Sequence, residues 1–262
     1  MKNIIYIYSI FFFILFINES YAQEIRHVNT SNTFITLSDK GNFSIESSIN
    51  LKSEIQFEAN YLISDKIAIY GSYNFINWRN RRHQFLKGLF GGPNYDYVEN
   101  KNSGYRFGVG FINLVELDGY KTEFLIDYET QNQELVEYYP TRSSEKDFIF
   151  QKYSKYNFQI NLLQVNTNLV YGISVKTSYY KTKVLDNFLS DDNYMTDINL
   201  IDDDLILLNV TGNFEYRLIK GKPFFITAQF GYAGAFDDFE SNVNREGFWG
   251  FISKIGLKYK FL

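Results

Sequence analysis

From residue 43 onward, apolar and polar residues alternate with a period of two. Ile55, Phe57, Ala59 and Tyr61 are separated by Gln56, Glu58 and Asn60. Tyr105, Phe107, Val109 and Phe111 are separated by Arg106, Gly108 and Gly110. Similar alternation runs through Tyr120–Tyr128, Leu169–Lys176 and Leu208–Leu218. Successive side chains of a strand point to opposite faces, so the repeat predicts strands with one apolar and one polar face. About ten such segments are expected, near 43–50, 54–63, 66–78, 103–113, 120–130, 147–162, 167–180, 205–218, 223–233 and 250–262. Eight and twelve are the neighbouring even counts.

The connections alternate in length. Residues 64–66, 116–119, 163–166 and 220–222 are tight, and Asp118-Gly119 and Gly221 supply turn chemistry. Residues 79–102, 131–146, 181–204 and 234–249 are long and polar, while 50–53 make a short loop on their side. An even number of strands with short turns at one end and long loops at the other predicts an all-β fold, a closed antiparallel transmembrane barrel. Both ends of the barrel then lie on the short-turn side.

A soluble barrel would bury the aromatic face, and a membrane barrel turns it outward. Three features favour the second. The strands have about the 9–11 residues that a tilted membrane strand needs. Tyr120 and Tyr128 sit at the ends of an apolar stripe, where interfacial girdles lie. The chain is also 19% aromatic, with Tyr 22 and Phe 26, at a mean hydropathy of only -0.26. Pro is scarce at 3, which suits long ladders.

The start of the chain has a different pattern. Lys2 precedes the apolar run Ile4–Phe16, followed by Ser20-Tyr21-Ala22. A charged start, a short apolar run and a small-x-small site predict a signal peptide over 1–22, cleaved between Ala22 and Gln23. A retained anchor is the alternative, but the run is short of the roughly 20 residues of a span. The expected organisation is thus signal peptide 1–22, periplasmic lead-in 23–41 and barrel 42–262. Beyond residue 22 no apolar run suits a membrane helix, so a membrane form of the chain must be a barrel. The net charge of -4 argues against nucleic-acid binding. Cys is 0, which excludes disulfides, thiolate metal sites and a lipidated cysteine.

In the last segment Trp249, Phe251, Ile255, Leu257, Tyr259 and Phe261 share a face opposite Ile252, Lys254, Gly256, Lys258 and Lys260. This resembles the closing strand of outer-membrane barrels, and the resemblance implies that Tyr259 and Phe261 are read by the barrel-assembly machinery. Here Leu262 follows the aromatic pair, so Phe261 is penultimate. Gly41-Asn42-Phe43, Ile55–Tyr61, Leu62–Lys66 and Ile67–Tyr73 resemble the opening of small outer-membrane barrel proteins of Bacteroidota, of the broad OmpA-like and porin-like group. That resemblance implies fold and an outer-membrane location among lipid and lipopolysaccharide, and little about activity. Many such relatives carry a lipidated cysteine, which is missing here.

Candidate chemistry is sparse. His27 falls in the lead-in and His83 in the loop Arg79–His83. A rim hydrolase would pair His83 with Asp191, Asp237 or Asp238, but nothing in the spacing requires it, and a solvated loop histidine is the preferred reading. Arg79, Arg81, Arg82 and Lys87 suit either lipopolysaccharide phosphates or a charged loop flank. Asp191-Asp192, Asp202–Asp204 and Asp237-Asp238-x-Glu240 lack the spacing of a calcium loop and read as solvated. Gly88–Pro93 lacks the residues of a phosphate loop. On the polar faces Glu58, Arg106, Lys121, Glu123, Lys176, Glu215 and Arg217 are expected to form a charge network that fills the lumen. No cofactor or metal is expected. The sequence thus points to a non-enzymatic barrel with a structural, adhesion or accessory role. A rim hydrolase at His83, a narrow pore, or a component of a secretion or gliding apparatus are the alternatives.

Overall fold

The computed structural model describes residues 32–50, 54–83, 95–115, 117–138, 146–188, 204–235 and 250–261. Ten strands form: β1 (Phe43–Asn50), β2 (Ile55–Ser64), β3 (Ile67–His83), β4 (Tyr95–Ile112), β5 (Lys121–Tyr138), β6 (Lys146–Val165), β7 (Leu169–Phe188), β8 (Asp204–Arg217), β9 (Phe224–Ala235) and β10 (Gly250–Phe261). Each pairs antiparallel with its sequence neighbours, and β1 closes on β10 from Phe43↔Phe261 to Asn50↔Lys254. The expected closed ten-stranded barrel is therefore what forms, with the start of β1 and the end of β10 both at the tight-turn end.

The turns follow the expected chemistry. Gly119 and Gly221 adopt φ of 77° and 74°, in the left-handed region that a side chain disfavours. Where the first hairpin turns, the Asn50 amide donates to the Glu54 carbonyl at 3.1 Å, and the Asn50 side chain accepts from the Glu54 amide at 3.0 Å.

The strands run further at the long-loop end than the alternation predicts. β3 continues to His83, β4 starts at Tyr95, β5 continues to Tyr138 and β7 to Phe188, whereas β6 gains one residue at that end and three at the tight-turn end. The expected loops 79–102, 131–146 and 181–204 therefore shrink, since their flanks continue the ladder. The reason lies on the outer face. Phe107, Tyr128, Tyr156 and Tyr179 occupy matching cross-strand positions on four neighbouring strands. The tyrosine rings touch in series, with centroids 5.3 Å and 6.4 Å apart. Above this row polar residues enter the outer face, as at Lys101 and Glu134, beside the exposed Tyr105 and Phe150. Beyond the girdle neither face needs to be apolar, so alternation fades while main-chain pairing continues.

Below the girdle the outside is apolar. Tyr156, Phe158, Ile160 and Leu162 on β6, Tyr171, Ile173 and Val175 on β7, and Ile255, Leu257, Tyr259 and Phe261 on β10 are all exposed. From Tyr171 to Tyr179 the belt spans about 20 Å along the axis, taking a rise of about 3.3 Å per residue and a tilt near 40°. The inside carries the polar set: Glu46, Glu58, Arg106, Glu129, Lys155, Gln159, Lys176, Gln229 and Lys258 are buried. A polar interior and an apolar exterior are the arrangement of a barrel that faces hydrocarbon.

Candidate functional site in the barrel lumen

The expected lead-in 23–41 does not all lie outside the barrel. Its residues 32–37, Asn-Thr-Phe-Ile-Thr-Leu, rise from the tight-turn end into the lumen. The direction is set by their partners. Leu37 meets Lys121 at the foot of β5, whereas Asn32 meets Thr211 and Gln229, well up β8 and β9. The segment enters because half of its side chains are apolar and find apolar wall. Ile35 and Leu37 pack with Leu62, Ala68, Tyr70, Ile112 and Leu125. Phe34 packs with Leu163 and Val170, and the Lys258 ammonium lies 4.5 Å from its ring centre. Gly110 leaves the space this needs, since a Cβ there would come within 2.7 Å of Ile35 Cδ1.

The main chain of the segment is held by side chains of the wall. All six carbonyls from Asn32 to Leu37 accept a hydrogen bond. Gln229 donates to that of Asn32 at 2.6 Å. Gln159 and Asn161 donate to that of Thr33, the second at 2.9 Å. Lys258 donates to that of Phe34 at 3.2 Å, and Lys260 to that of Thr36 at 3.0 Å. Lys121 bridges those of Ile35 and Leu37 at 2.5 and 2.9 Å. The amides of Asn32, Thr33 and Ile35 donate to Gln229, Gln159 and Glu123 in turn. Gln229 and Gln159 thus each donate to and accept from one residue, as a neighbouring strand would. This answers the demand that buried peptide groups be satisfied.

Around this segment the wall charges pair with each other. At mid-height Arg106 Nη2 lies 3.1 Å from Glu58 Oε2 and donates to Thr33 Oγ1 at 2.6 Å. Lys155 pairs with Glu129 at 3.0 Å. Asp127 accepts from Tyr70 at 2.7 Å and from Asn157 at 2.5 Å. Nearer the tight turns, Lys254, Glu46, Lys258, Glu215 and Lys260 form a chain of alternating sign. Its contacts are 3.0 Å for Lys254–Glu46, 3.6 Å for Glu46–Lys258 and 3.2 Å for Lys258–Glu215, with Lys260 completing it on Glu215. Lys121 pairs with Glu123 at 3.3 Å.

Of the residues expected in a lumen network, the structure brings Glu58 with Arg106, Lys121 with Glu123, and Glu215 into the lysine chain. Lys176 is buried among Arg106, Glu129, Lys155 and Asp127. Arg217 sits apart at the base, its guanidinium 5.2 Å from the Phe225 ring centre, with no ion pair among the described residues. Sequence reading missed Glu46, Asp127, Glu129, Lys155 and the lysines of β10 as network members, and missed residues 32–37 altogether. The signals were there. Lys254, Lys258 and Lys260 share a polar face and need acidic partners, and Phe34, Ile35 and Leu37 are too apolar for a tether in water.

Tyr259 and Phe261 pack edge to face at 4.6 Å on the outside of β10. The Ala22–Gln23 junction, His27, Lys87, the Gly88–Pro93 stretch and the acidic runs at 191–192, 202–203 and 237–240 lie outside the described residues. Arg79 to His83 are placed as the end of β3, their side chains outside the description. No group of three or more metal-ligating side chains occurs among the described residues.

The fold and its interior define a class: a closed ten-stranded barrel, apolar outside and polar inside, with its own N-terminal segment in the lumen. Structural likeness runs to bacterial barrels. Outer membrane protease OmpT from Escherichia coli is 10% identical over 88% of this chain and 100% of its own, with a TM-score of 0.49. The KdgM porin is 7% identical over 84% and 99%, at 0.36. The N-terminal β-barrel domain of Pseudomonas aeruginosa OprF is 8% identical over 85% and 98%, at 0.26. At these values the likeness says nothing of activity. No family model matches the chain, and no curated protein matches it in sequence.

Proposed function

We propose that the chain is exported through a cleaved signal peptide, residues 1–22, and resides in the bacterial outer membrane as a closed, non-enzymatic barrel of structural, adhesion or accessory role. The observation that carries this is the pairing of an apolar, aromatic-girdled exterior with a lumen filled by ion pairs and by residues 32–37. Such an exterior is stable only against hydrocarbon, and a filled lumen offers no path for bulk diffusion. The outer face meets lipid, and lipopolysaccharide at its outer edge. Tyr259 and Phe261 are the features that the barrel-assembly machinery would read. The Bacteroidota-type opening at Gly41–Tyr73 supports the same reading.

Fractionation of cells with sequencing of the mature N-terminus tests it. The expected result is a membrane-bound, heat-modifiable protein beginning at Gln23. A soluble periplasmic protein, or one that retains Met1, overturns it. A narrow pore is the second reading. It is favoured by one observation: the segment in the lumen is uncharged, and the wall pairs around it are complete without it.

A further inference from the structure

We propose that the lumen, from its tight-turn end to mid-height, is a binding site for an extended peptide, and that residues 32–37 are its resident ligand and keep a pore shut. The inference rests on the membrane-barrel reading above and adds to it a ligand class and a gate.

The first support is the mode of recognition. Six successive carbonyls are captured by side chains from β5, β6, β9 and β10. Contacts to main chain hold any extended peptide, whatever its side chains, as strand addition does elsewhere. Here the wall offers side chains in place of a sheet edge.

The second support is the selectivity of the two pockets. Phe34 fills one against Leu163, Val170 and the Lys258 ammonium. Ile35 and Leu37 fill the other, which Gly110 clears. The preferred ligand is therefore an uncharged strand carrying an aromatic residue followed by aliphatic ones at the next and third positions.

The third support is what stays behind when the segment leaves. Glu58–Arg106, Lys121–Glu123 and the chain from Lys254 to Lys260 are bonds between wall residues. Withdrawing a neutral segment strands no buried charge, which would otherwise make release prohibitive. The lysines and amides that it frees point into a passage that water can enter and solvate. A segment needed only as permanent filling would have no reason to leave its surroundings electrostatically complete.

The experiment compares the full mature chain with a variant lacking residues 23–37, both inserted in planar bilayers. Heat-modifiable migration reports folding of each. The full chain is expected to be closed and the deletion variant to conduct. A synthetic peptide of residues 30–41 should block the open variant at least tenfold more tightly than the same peptide with Phe34→Ser and Ile35→Ser. A folded deletion variant as closed as the full chain overturns the proposal, and so do equal effects of the two peptides. If the deletion variant does not fold, the full chain with Phe34→Ser, Ile35→Ser and Leu37→Ser takes its place. Conduction relieved by the added peptide supports the site, and a closed or peptide-insensitive channel overturns it. Failure of the full chain to insert in bilayers counts against the membrane reading instead.

Discussion

Arg106→Met is expected to be among the most damaging single changes inside this barrel. The guanidinium and the Glu58 carboxylate are 3.1 Å apart, with side chains only 1% and 2% exposed. At an effective dielectric of about 20 their attraction is about 5 kcal/mol, much of it offset by the cost of taking both charges out of water. Removing one partner keeps the desolvation cost and forfeits the attraction. It leaves Glu58 with Thr33, Gln56 and Asn60 as neutral donors. Glu46 stands directly opposite Glu58 in the β1–β2 register, and its own lysine partners, Lys254 and Lys258, make no ion pair with Glu58 among the described residues. The expected loss is about 3–5 kcal/mol. Glu58→Gln in the same background should restore at least half of it, because the stranded charge is gone. Urea unfolding from lipid vesicles, followed by tryptophan fluorescence, measures both. Lys101→Met provides the contrast. Its pair with Glu134 is 3.6 Å long and about half exposed, so its loss should be under about 1 kcal/mol. A loss at Arg106 no larger than that at Lys101, or a double variant as weak as the two single losses summed, would refute the reasoning.

Three other outcomes follow from the same geometry. Val175→Arg places a charge on the lipid face of β7, midway along the belt from Tyr171 to Tyr179, and should cost about 2–4 kcal/mol in vesicle refolding. The same change in a water-facing strand would be almost neutral, so a silent variant argues against lipid contact. Gly231→Val should weaken the β8–β9 seam by about 1–3 kcal/mol in the same urea assay, since a Cβ there would lie 2.0 Å from the Val210 carbonyl oxygen. Phe261→Ser removes the edge-to-face partner of Tyr259 and the outer face of the closing pair with Phe43. Its expected effect is a lower yield of heat-modifiable barrel in cells with the export step unchanged, and normal yield would remove Phe261 from the assembly role.

The ten strands were legible because each carries the same local rule. A side chain on the lipid face is mostly apolar and one on the lumen face is seldom large and apolar, so the period of two is written residue by residue, as in Tyr105 to Phe111. The turns were legible for a similar reason, since Gly119 and Gly221 answer to local backbone sterics. The strand ends were not. Above Tyr128, Tyr156 and Tyr179 polar residues such as Lys101 and Glu134 enter the outer face while the lumen face stays polar, as at Asn102, Gln131 and Gln133, so the apolar–polar contrast fades and the ladder continues on main-chain bonds that no side chain announces.

Alternation by itself therefore determined the fold class, a strand count near ten with eight and twelve still open, and which residues face inward, including Glu58, Arg106, Lys121, Glu123, Lys176 and Glu215. Only the closed structure decided who meets whom. Glu46 reaches Lys258 because β1 pairs with β10 across nearly the whole chain. Arg106 reaches Glu58 across the intervening β3, and Lys260 reaches Thr36 inside the lumen. A lumen is enclosed from all sides at once, so its contacts depend on register and curvature summed over ten strands, quantities that no local window of sequence contains. The placement of residues 32–37 is the clearest case: their apolar side chains require burial, and only the barrel fixes where burial is to be had.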